Sequence, residues 1–338
     1  MCEKDTKLMN SLISVIIPVR DDQDFLIETL ESLISNIDFI YEIIIVDSSS
    51  NKNSKTVKEI LDNSSIKNLK TIYKKISPAF PGAARNIGLK LASSDFIAFL
   101  DCKTAAKSNW LSCAAAEFKK NNRLMIFGSR TDVAAETFFQ KLLRASSYGK
   151  VPTIVMVGSV FKKELINFTG YLREDVRSGE DIDWSLRIKN LNLQIKYPTS
   201  AVIEYRGLEK NLFKALVKYF TYGLLSAKVD ILRLYRAMYF YTICLFALFF
   251  VFNWNNIFAG WDLSDPLYVP NITKIFLLLC LSIYILIRGL ITPLRRKEKI
   301  SFLLPFNWLL VSTLSFTLDL FKAPGYFLGY ILNFRKDK

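Results

Sequence analysis

The residues of this chain that could do chemistry are carboxylates. Asp22, Asp47 and Asp101 each follow a short apolar run, and Glu180, Asp181 and Asp183 stand within four positions just after Gly179. The chain has no histidine. Histidine acid–base catalysis and histidine metal ligands are therefore excluded, and proton transfer is left to the acids. Three carboxylates beside a glycine turn repel one another unless a cation or a shared proton compensates. Carboxylates in a first helical turn also suit the helix dipole, so a structural account stands beside the functional one. Asp22 is in the same position, because it reads equally as a ligand residue or a helix N-cap.

The elements that must position these acids follow from hydrophobic period. Ile13 to Pro18, Tyr41 to Val46, Leu69 to Tyr73 and Phe96 to Leu100 are apolar runs of strand length, and a strand buried on both faces reads as such a run. Between them, Phe25 to Ile34, Val57 to Leu61 and Ala83 to Ala92 carry apolar residues at helical spacing. The alternation β-α-β-α-β-α-β predicts an α/β fold with a doubly wound, mostly parallel sheet. In such sheets ligands bind outside the carboxyl ends of the strands, where Arg20 to Asp22, Asp47 and Asp101 fall. Further on, Trp110 to Lys120 reads as a helix, and Leu124 to Gly128 and Ile154 to Phe161 as strands. A helix opens at Glu180 and continues through Leu191.

The chain is 338 residues long, 51% hydrophobic, and carries a net charge of +14. No aromatic–basic nucleic-acid motif accompanies that charge, so anionic lipid is the expected partner and nucleic acid is not. Five cysteines without a paired framework point to a reducing compartment.

Four segments together resemble the inverting family-2 glycosyltransferases with the glycosyltransferase-A fold. They are SVIIPVRDD (14–22), EIIIVDSSS (42–50), PGAARNIGLKLASSDFIAFLDCKT (81–104) and SGEDIDWSLRI (178–188). The resemblance implies a nucleotide-sugar donor lying across the strand ends. Pro18, Val19, Arg20 and Asp47 would lie near the base, Arg85 would help to hold the nucleotide, and Asp101 would sit near ribose and diphosphate. Asp181, with Glu180 beside it, would act as catalytic base on the acceptor hydroxyl. The family's acidic metal motif reads Asp-x-Asp, whereas Asp101-Cys102-Lys103 stands here. The lysine argues against Mg²⁺ or Mn²⁺ and could itself meet the diphosphate. The Gln-x-x-Arg-Trp motif of processive synthases is absent, since Arg233-Leu-Tyr-Arg236 stands in its place. The expected reaction is transfer of a single sugar to a cell-envelope glycan or lipid-linked acceptor. Lys103 also leaves open a catalytically silent, nucleotide-binding subunit. A sugar-nucleotide pyrophosphorylase fits less well, because no glycine-rich phosphate loop follows the first strand.

The expected domains are a catalytic domain over 1–209, a basic amphipathic linker helix over 210–236, and a membrane domain over 237–338. In the linker, Leu212, Phe213, Leu216 and Phe220 share one helical face and Lys210, Lys214 and Lys218 another. That pattern suits a helix on a lipid surface and equally a surface helix of the enzyme domain. Residues 237–261 and Ile272 to Leu294 are long enough to span a bilayer. Ile300 to Leu318, interrupted by Pro305, is expected to be interfacial or hairpin-like. The loop at 254–273 holds Asp262 and Asp265 and no lysine or arginine, whereas Arg295, Arg296, Lys297 and Lys299 cluster after the second span. The positive-inside rule then expects a multi-pass protein of the cytoplasmic membrane, with its catalytic domain in the cytoplasm.

Overall fold

The computed structural model describes residues 12–50, 57–62, 69–148, 157–227, 229 and 254–334. The chain divides into two units, residues 1–134 with 150–208 and residues 135–149 with 209–338.

The first unit is a mixed α/β layer structure. Strand β1 (Ile13–Val19) leads through α1 (Gln23–Ser32) and a 3-10 turn (Ile34–Phe39) to β2 (Ile40–Asp47). Helix α2 (Val57–Asp62), β3 (Thr71–Lys75), α3 (Pro81–Leu91) and β4 (Phe96–Phe99) follow. These four strands are parallel, in the order β3-β2-β1-β4. The register sets Val19 beside Asp47 and Asp47 beside Lys75, so the carboxyl ends of three strands finish level. The expected mostly parallel sheet is therefore present.

Period-two alternation explains why the sheet is covered on both sides. Ile13, Val15, Ile17 and Val19 join a core with Leu26, Leu30, Val57 and Trp110, all from one face. Ile16, Ile44 and Val46 join the other core, with Ala84, Leu89, Trp184 and Ile188. Helix α3 begins at Pro81 and not, as expected, at Ala83. Proline at the first helical position needs no N–H partner and has its φ already set.

Beyond β4 the chain adds β5 (Thr104–Ala106), α4 (Trp110–Lys120), β6 (Ile126–Phe127) and β7 (Thr131–Val133). Strand β8 (Val160–Lys162) is followed by α6 (Leu165–Thr169), α7 (Glu180–Lys189), β9 (Ile195–Lys196) and β10 (Ile203–Tyr205). Strand β8 inserts antiparallel between β4 and β6, and β9 completes a seven-stranded sheet. It is shorter than the strand expected from Ile154, and positions 154–156 lie outside the described residues. A small second sheet, β5-β10-β7, fixes the turn after Asp101. The Arg206 N–H donates to the Lys103 carbonyl at 2.8 Å.

In the second unit, α5 (Phe138–Ser147) starts at a capping box formed by Thr137 and Gln140. Arg144 of α5 makes a two-pronged pair with the buried carboxylate of Glu298, at 3.0 and 2.6 Å. Helix α5 thus packs with C-terminal helices, whereas the sequence placed its residues in the catalytic domain. Helix α8 (Leu212–Ser226) packs along a 28-residue helix, α12 (Asn307–Phe334). It is part of this unit, where the sequence expected a linker. Helix α9 (Asn271–Leu286) continues through a π turn (Ile287–Ile291) into α10 (Thr292–Arg295). Within that run, Leu278–Arg295 is long and apolar enough to cross a membrane. Arg288 in this stretch pairs with Asp319 of α12 at 2.8 Å, and the Tyr284 hydroxyl donates to the same carboxylate. The third hydrophobic segment breaks near Pro305 as expected, between α11 (Ile300–Leu303) and α12, but α12 runs well past Leu318. Most of the expected first span, 237–261, lies outside the described residues.

Candidate active site at the strand ends

Helix α3 is the element from which the site is built. Gly82 lies against the Arg173 carbonyl, and a β-carbon there would collide with that backbone. One turn on, the Asn86 amide donates to the Leu172 carbonyl at 2.9 Å and to Glu174 at 2.8 Å, while its oxygen accepts from the Leu172 N–H. The Pro-Gly-Ala-Ala-Arg-Asn run therefore clamps the loop that leads into α7. Gly179 then turns the chain at φ 95°, a conformation glycine adopts without strain, and α7 starts at Glu180.

Trp184 orients α7. It is fully buried, stacks edge-on against Phe161 at 5.2 Å, and donates its indole N–H to Thr169. With Trp184 held under the helix, the three acids of the first turn separate in role. Asp183 is paired with Arg187 at 2.8 and 3.0 Å, and Arg187 also bonds the Thr169 and Tyr171 carbonyls. Asp183 is thus a staple for the preceding loop. Glu180 is buried and accepts from Arg85 Nη1 at 2.8 Å. Asp181 is half-buried, its carboxylate accepts the Ile182 N–H at 2.8 Å, and among the described residues it forms no salt bridge.

Arg85 also donates from Nη2 to Asp101 at 2.9 Å, so one guanidinium joins the end of β4 to the start of α7. Burial would lower its pKa, but Asp101, Glu180 and Asp181 more than offset this and keep it charged. Burial pushes the Asp181 carboxyl above the ordinary aspartate value; the field of Arg85 opposes the shift without cancelling it. Glu180 is raised for the same reason. A carboxylate with a raised pKa is a stronger base than an ordinary aspartate.

The other residues expected from the sequence gather at the same edge. Burial would raise the Asp47 carboxyl, yet donors from Ser49, Lys75 and Tyr73 hold it below its usual value. Arg20 donates to the Ala79 carbonyl at 2.9 Å and lies over the Phe80 ring. The side chain of Val19 is in the core, and its carbonyl accepts from Ser48. Pro18 is half-buried and accepts weakly from the Cys102 thiol at 3.5 Å. Asp22 occupies the N-cap position of α1 but makes no side-chain cap. Its carboxylate pairs instead with Lys103 Nζ at 2.7 Å. The capping account of Asp22 is therefore excluded. Arg85, expected to hold a nucleotide, has both terminal nitrogens engaged with protein carboxylates.

Sequence reasoning missed two supporting residues. Asp21, at φ 56°, accepts from the Ser50 N–H, and Ser49 Oγ accepts from the Asp21 N–H and from Gln23. These bonds tie the loop after β1 to the loop after β2. The three serines after Asp47 were the available signal.

The Glycosyl transferase family 2 model matches residues 14–178. An uncharacterized glycosyltransferase of Rickettsia bellii (strain RML369-C) is 24% identical over 199 residues, which is 55% of this chain and 27% of that protein. The chondroitin synthase of Pasteurella multocida (strain Pm70) is 22% identical over 224 residues, 52% of this chain and 23% of that protein. The chain thus spans about a quarter of the length of these curated relatives. Among solved structures, S. aureus TarS 1–349 in complex with UDP-GlcNAc aligns with a TM-score of 0.44 at 19% identity, covering 66% of this chain and 67% of that one. A mannosyltransferase from Pyrobaculum calidifontis, in complex with GDP-Man and Mn²⁺, gives a TM-score of 0.46 at 16% identity, covering 62% and 61%. Residues 14–178, the stretch similar to glycosyl transferase family 2, hold the parallel strands, Arg85 and Asp101.

Proposed function

We propose that this chain is a membrane-anchored, inverting glycosyltransferase. It moves one sugar from a nucleotide-sugar donor to a cell-envelope glycan or lipid-linked acceptor. The observation that carries this reading is Asp181, half-buried and with a raised pKa, next to the Asp101–Arg85–Glu180 bridge. The acceptor hydroxyl attacks the anomeric carbon as Asp181 takes its proton. A glycosidic C–O bond forms, the C–O bond to the diphosphate breaks, and the nucleoside diphosphate leaves. A single displacement inverts the anomeric centre. A positioned base of this kind contributes about 10²- to 10⁴-fold. Arg85 holds Glu180 and Asp101 in place, so that Asp181 is the carboxylate left to act.

The chondroitin and hyaluronan synthases among the relatives support a glycan acceptor. Transfer of a single sugar rests on Arg233-Leu-Tyr-Arg236, which lacks the glutamine and tryptophan of processive synthases. The anchor rests on the apolar stretch Leu278–Arg295, and its orientation on the basic cluster at 295–299 opposite Asp262 and Asp265. Exposed Leu212, Phe213 and Val217 on α8, with Lys210 and Lys214 near them, support contact with anionic lipid.

The Lys103–Asp22 pair favours a second reading, a silent subunit that binds nucleotide without turnover. One experiment separates the two. The full chain in lipid is incubated with labelled UDP- and GDP-sugars and a glycan or lipid-phosphate acceptor. Transfer lost in Asp181→Asn supports the enzyme; nucleotide binding without transfer supports the silent subunit.

A further inference from the structure

We propose that Lys103 takes the place of a divalent cation, exchanging Asp22 for the diphosphate of the donor. The proposal rests on the reading of this site as a nucleotide-sugar site. It starts from a mismatch between the residues present and a metal. Mg²⁺ and Mn²⁺ want several oxygen ligands with little competing positive charge. Here Asp101 already accepts from Arg85 at 2.9 Å, and the second acid of the motif is replaced by an ammonium. Among the described residues no group of three acidic or sulfur ligands converges to make good the deficit. This donor set does not fit a divalent cation.

The same residues fit an anion. Lys103 Nζ is 2.7 Å from Asp22 Oδ1 and 5.3 Å from the centre of the Phe25 ring. Both side chains of the pair are about one-third exposed, at 34% and 35%. An ion pair so open to water is weak and easily exchanged. Asp22 makes no side-chain cap on its own helix, and among the described residues its side-chain ion pair is with Lys103. Meanwhile the backbone of Lys103 is fixed, because its carbonyl accepts from Arg206 within the small sheet. The ammonium thus sits on a rigid turn directly after Asp101, with a partner it can leave. A diphosphate offers it two phosphoryl groups in place of one carboxylate, and Lys103 has three donors to give. When the bond to the sugar breaks, those donors meet the charge gathering on the leaving oxygen.

The test is calorimetric titration of the full chain in lipid nanodiscs with UDP and with GDP, in excess EDTA and again with MnCl₂. The expected result is binding of at least one of them in EDTA, changed less than about twofold by Mn²⁺. Lys103→Ala weakens it by about tenfold or more and Lys103→Arg by only a few-fold. Asp22→Asn tightens binding by about threefold, because the ammonium no longer has to leave a carboxylate; a merely structural pair would not give that sign. Lys103→Asp abolishes binding in EDTA and regains it with Mn²⁺. Wild-type binding that requires Mn²⁺, or EDTA binding unchanged in Lys103→Ala, overturns the proposal and leaves the nucleotide-sugar reading standing. Absence of binding to either nucleotide under both conditions overturns that reading and the proposal together.

Discussion

The guanidinium of Arg85 donates to Glu180 at 2.8 Å, 95 residues away in sequence, and so ties the helix after β3 to the helix that carries Asp181. Both side chains are almost fully buried, at 5% and 8% exposure. Removing one partner of such a pair leaves an uncompensated charge inside the protein. Arg85→Ala is expected to destabilise the first unit by about 3 kcal/mol. Glu180→Gln should cost less, because Arg85 keeps Asp101. Urea unfolding of the two variants, followed by the fluorescence of buried Trp184, reads the difference directly. Equal losses would mean that Asp101 does not compensate Arg85 once Glu180 is neutralised.

Asp181 is held in a conflict between stability and chemistry. Burial raises its pKa in the folded protein, so the folded state binds its proton more tightly than the unfolded chain does. Stability from this group is therefore full below the ordinary value of 3.8 and declines as pH rises through the raised folded value. At neutral pH the ionised side chain is a net cost. Asp181→Asn is expected to raise the melting temperature at pH 7 by about 2 °C, while transfer falls by about 10²-fold or more. The variant's gain over the wild type should vanish well below the ordinary value of 3.8, where the carboxyl is protonated in both states. A melting temperature lowered by the substitution at pH 7 would remove the conflict.

The fold was legible because burial leaves a mark on residue type. Ile13 to Val19 can be apolar at consecutive positions only if both faces are covered, and Ile16 and Ile17 do enter opposite cores. The convergence of Asp22, Asp47 and Asp101 at one edge followed from parallel order, whereas Glu180 is tied to it through Arg85. What each side chain touches did not. Asp47 looked free for a ligand, but Tyr73 and Lys75 come from the next strand, and only the Asp47–Lys75 register places them there. The resemblance singled out Asp181, but the residue types alone did not separate it from Asp183; Arg187, four residues on, claims Asp183. The antiparallel insertion of β8 was also hidden, since a three-residue strand carries no direction in its composition.

Glu42 gives a prediction about acid stability that is independent of catalysis. It is fully buried on β2, and burial alone would raise its pKa. Donors from Lys70, the Ser93 N–H and Ser14 outweigh that and hold it below the usual glutamate value. A lowered folded pKa contributes stability above the unfolded value near 4.5, and that contribution is lost as pH falls through the folded value. Glu42→Gln is expected to cost about 2 kcal/mol at pH 7, since charged hydrogen bonds are weakened in a buried site. The difference between variant and wild type should shrink steadily below pH 4.5. A cost that stays constant from pH 7 to pH 3 would assign it to packing and not to charge.

Topology is the last expectation, and it depends on charge on either side of one apolar stretch. Leu278–Arg295 is the span that length and composition allow among the described residues. On its N-terminal side Asp262 and Asp265 each accept a nearby backbone N–H, so the acids belong to ordered turns. On its C-terminal side Arg295, Arg296, Lys297 and Lys299 stand within five positions. Moving that cluster across a membrane against its potential is unfavourable, so the expected orientation keeps the basic end in the cytoplasm. Within the span, Arg288 would be a costly charge in hydrocarbon, and its 2.8 Å pair with Asp319 meets that cost. Asn256 and Lys297 are both exposed and lie on opposite sides of the stretch. An impermeant maleimide applied to intact cells should therefore label Asn256→Cys above the background of the five native cysteines and leave Lys297→Cys unlabelled until the cells are opened. Arg288→Leu tests the pair itself: it strands Asp319, and the variant should lose folded yield unless Asp319→Asn is added. Labelling of Lys297→Cys in intact cells would reverse the orientation and place the acidic turns inside. Equal labelling of both would mean that the stretch does not cross.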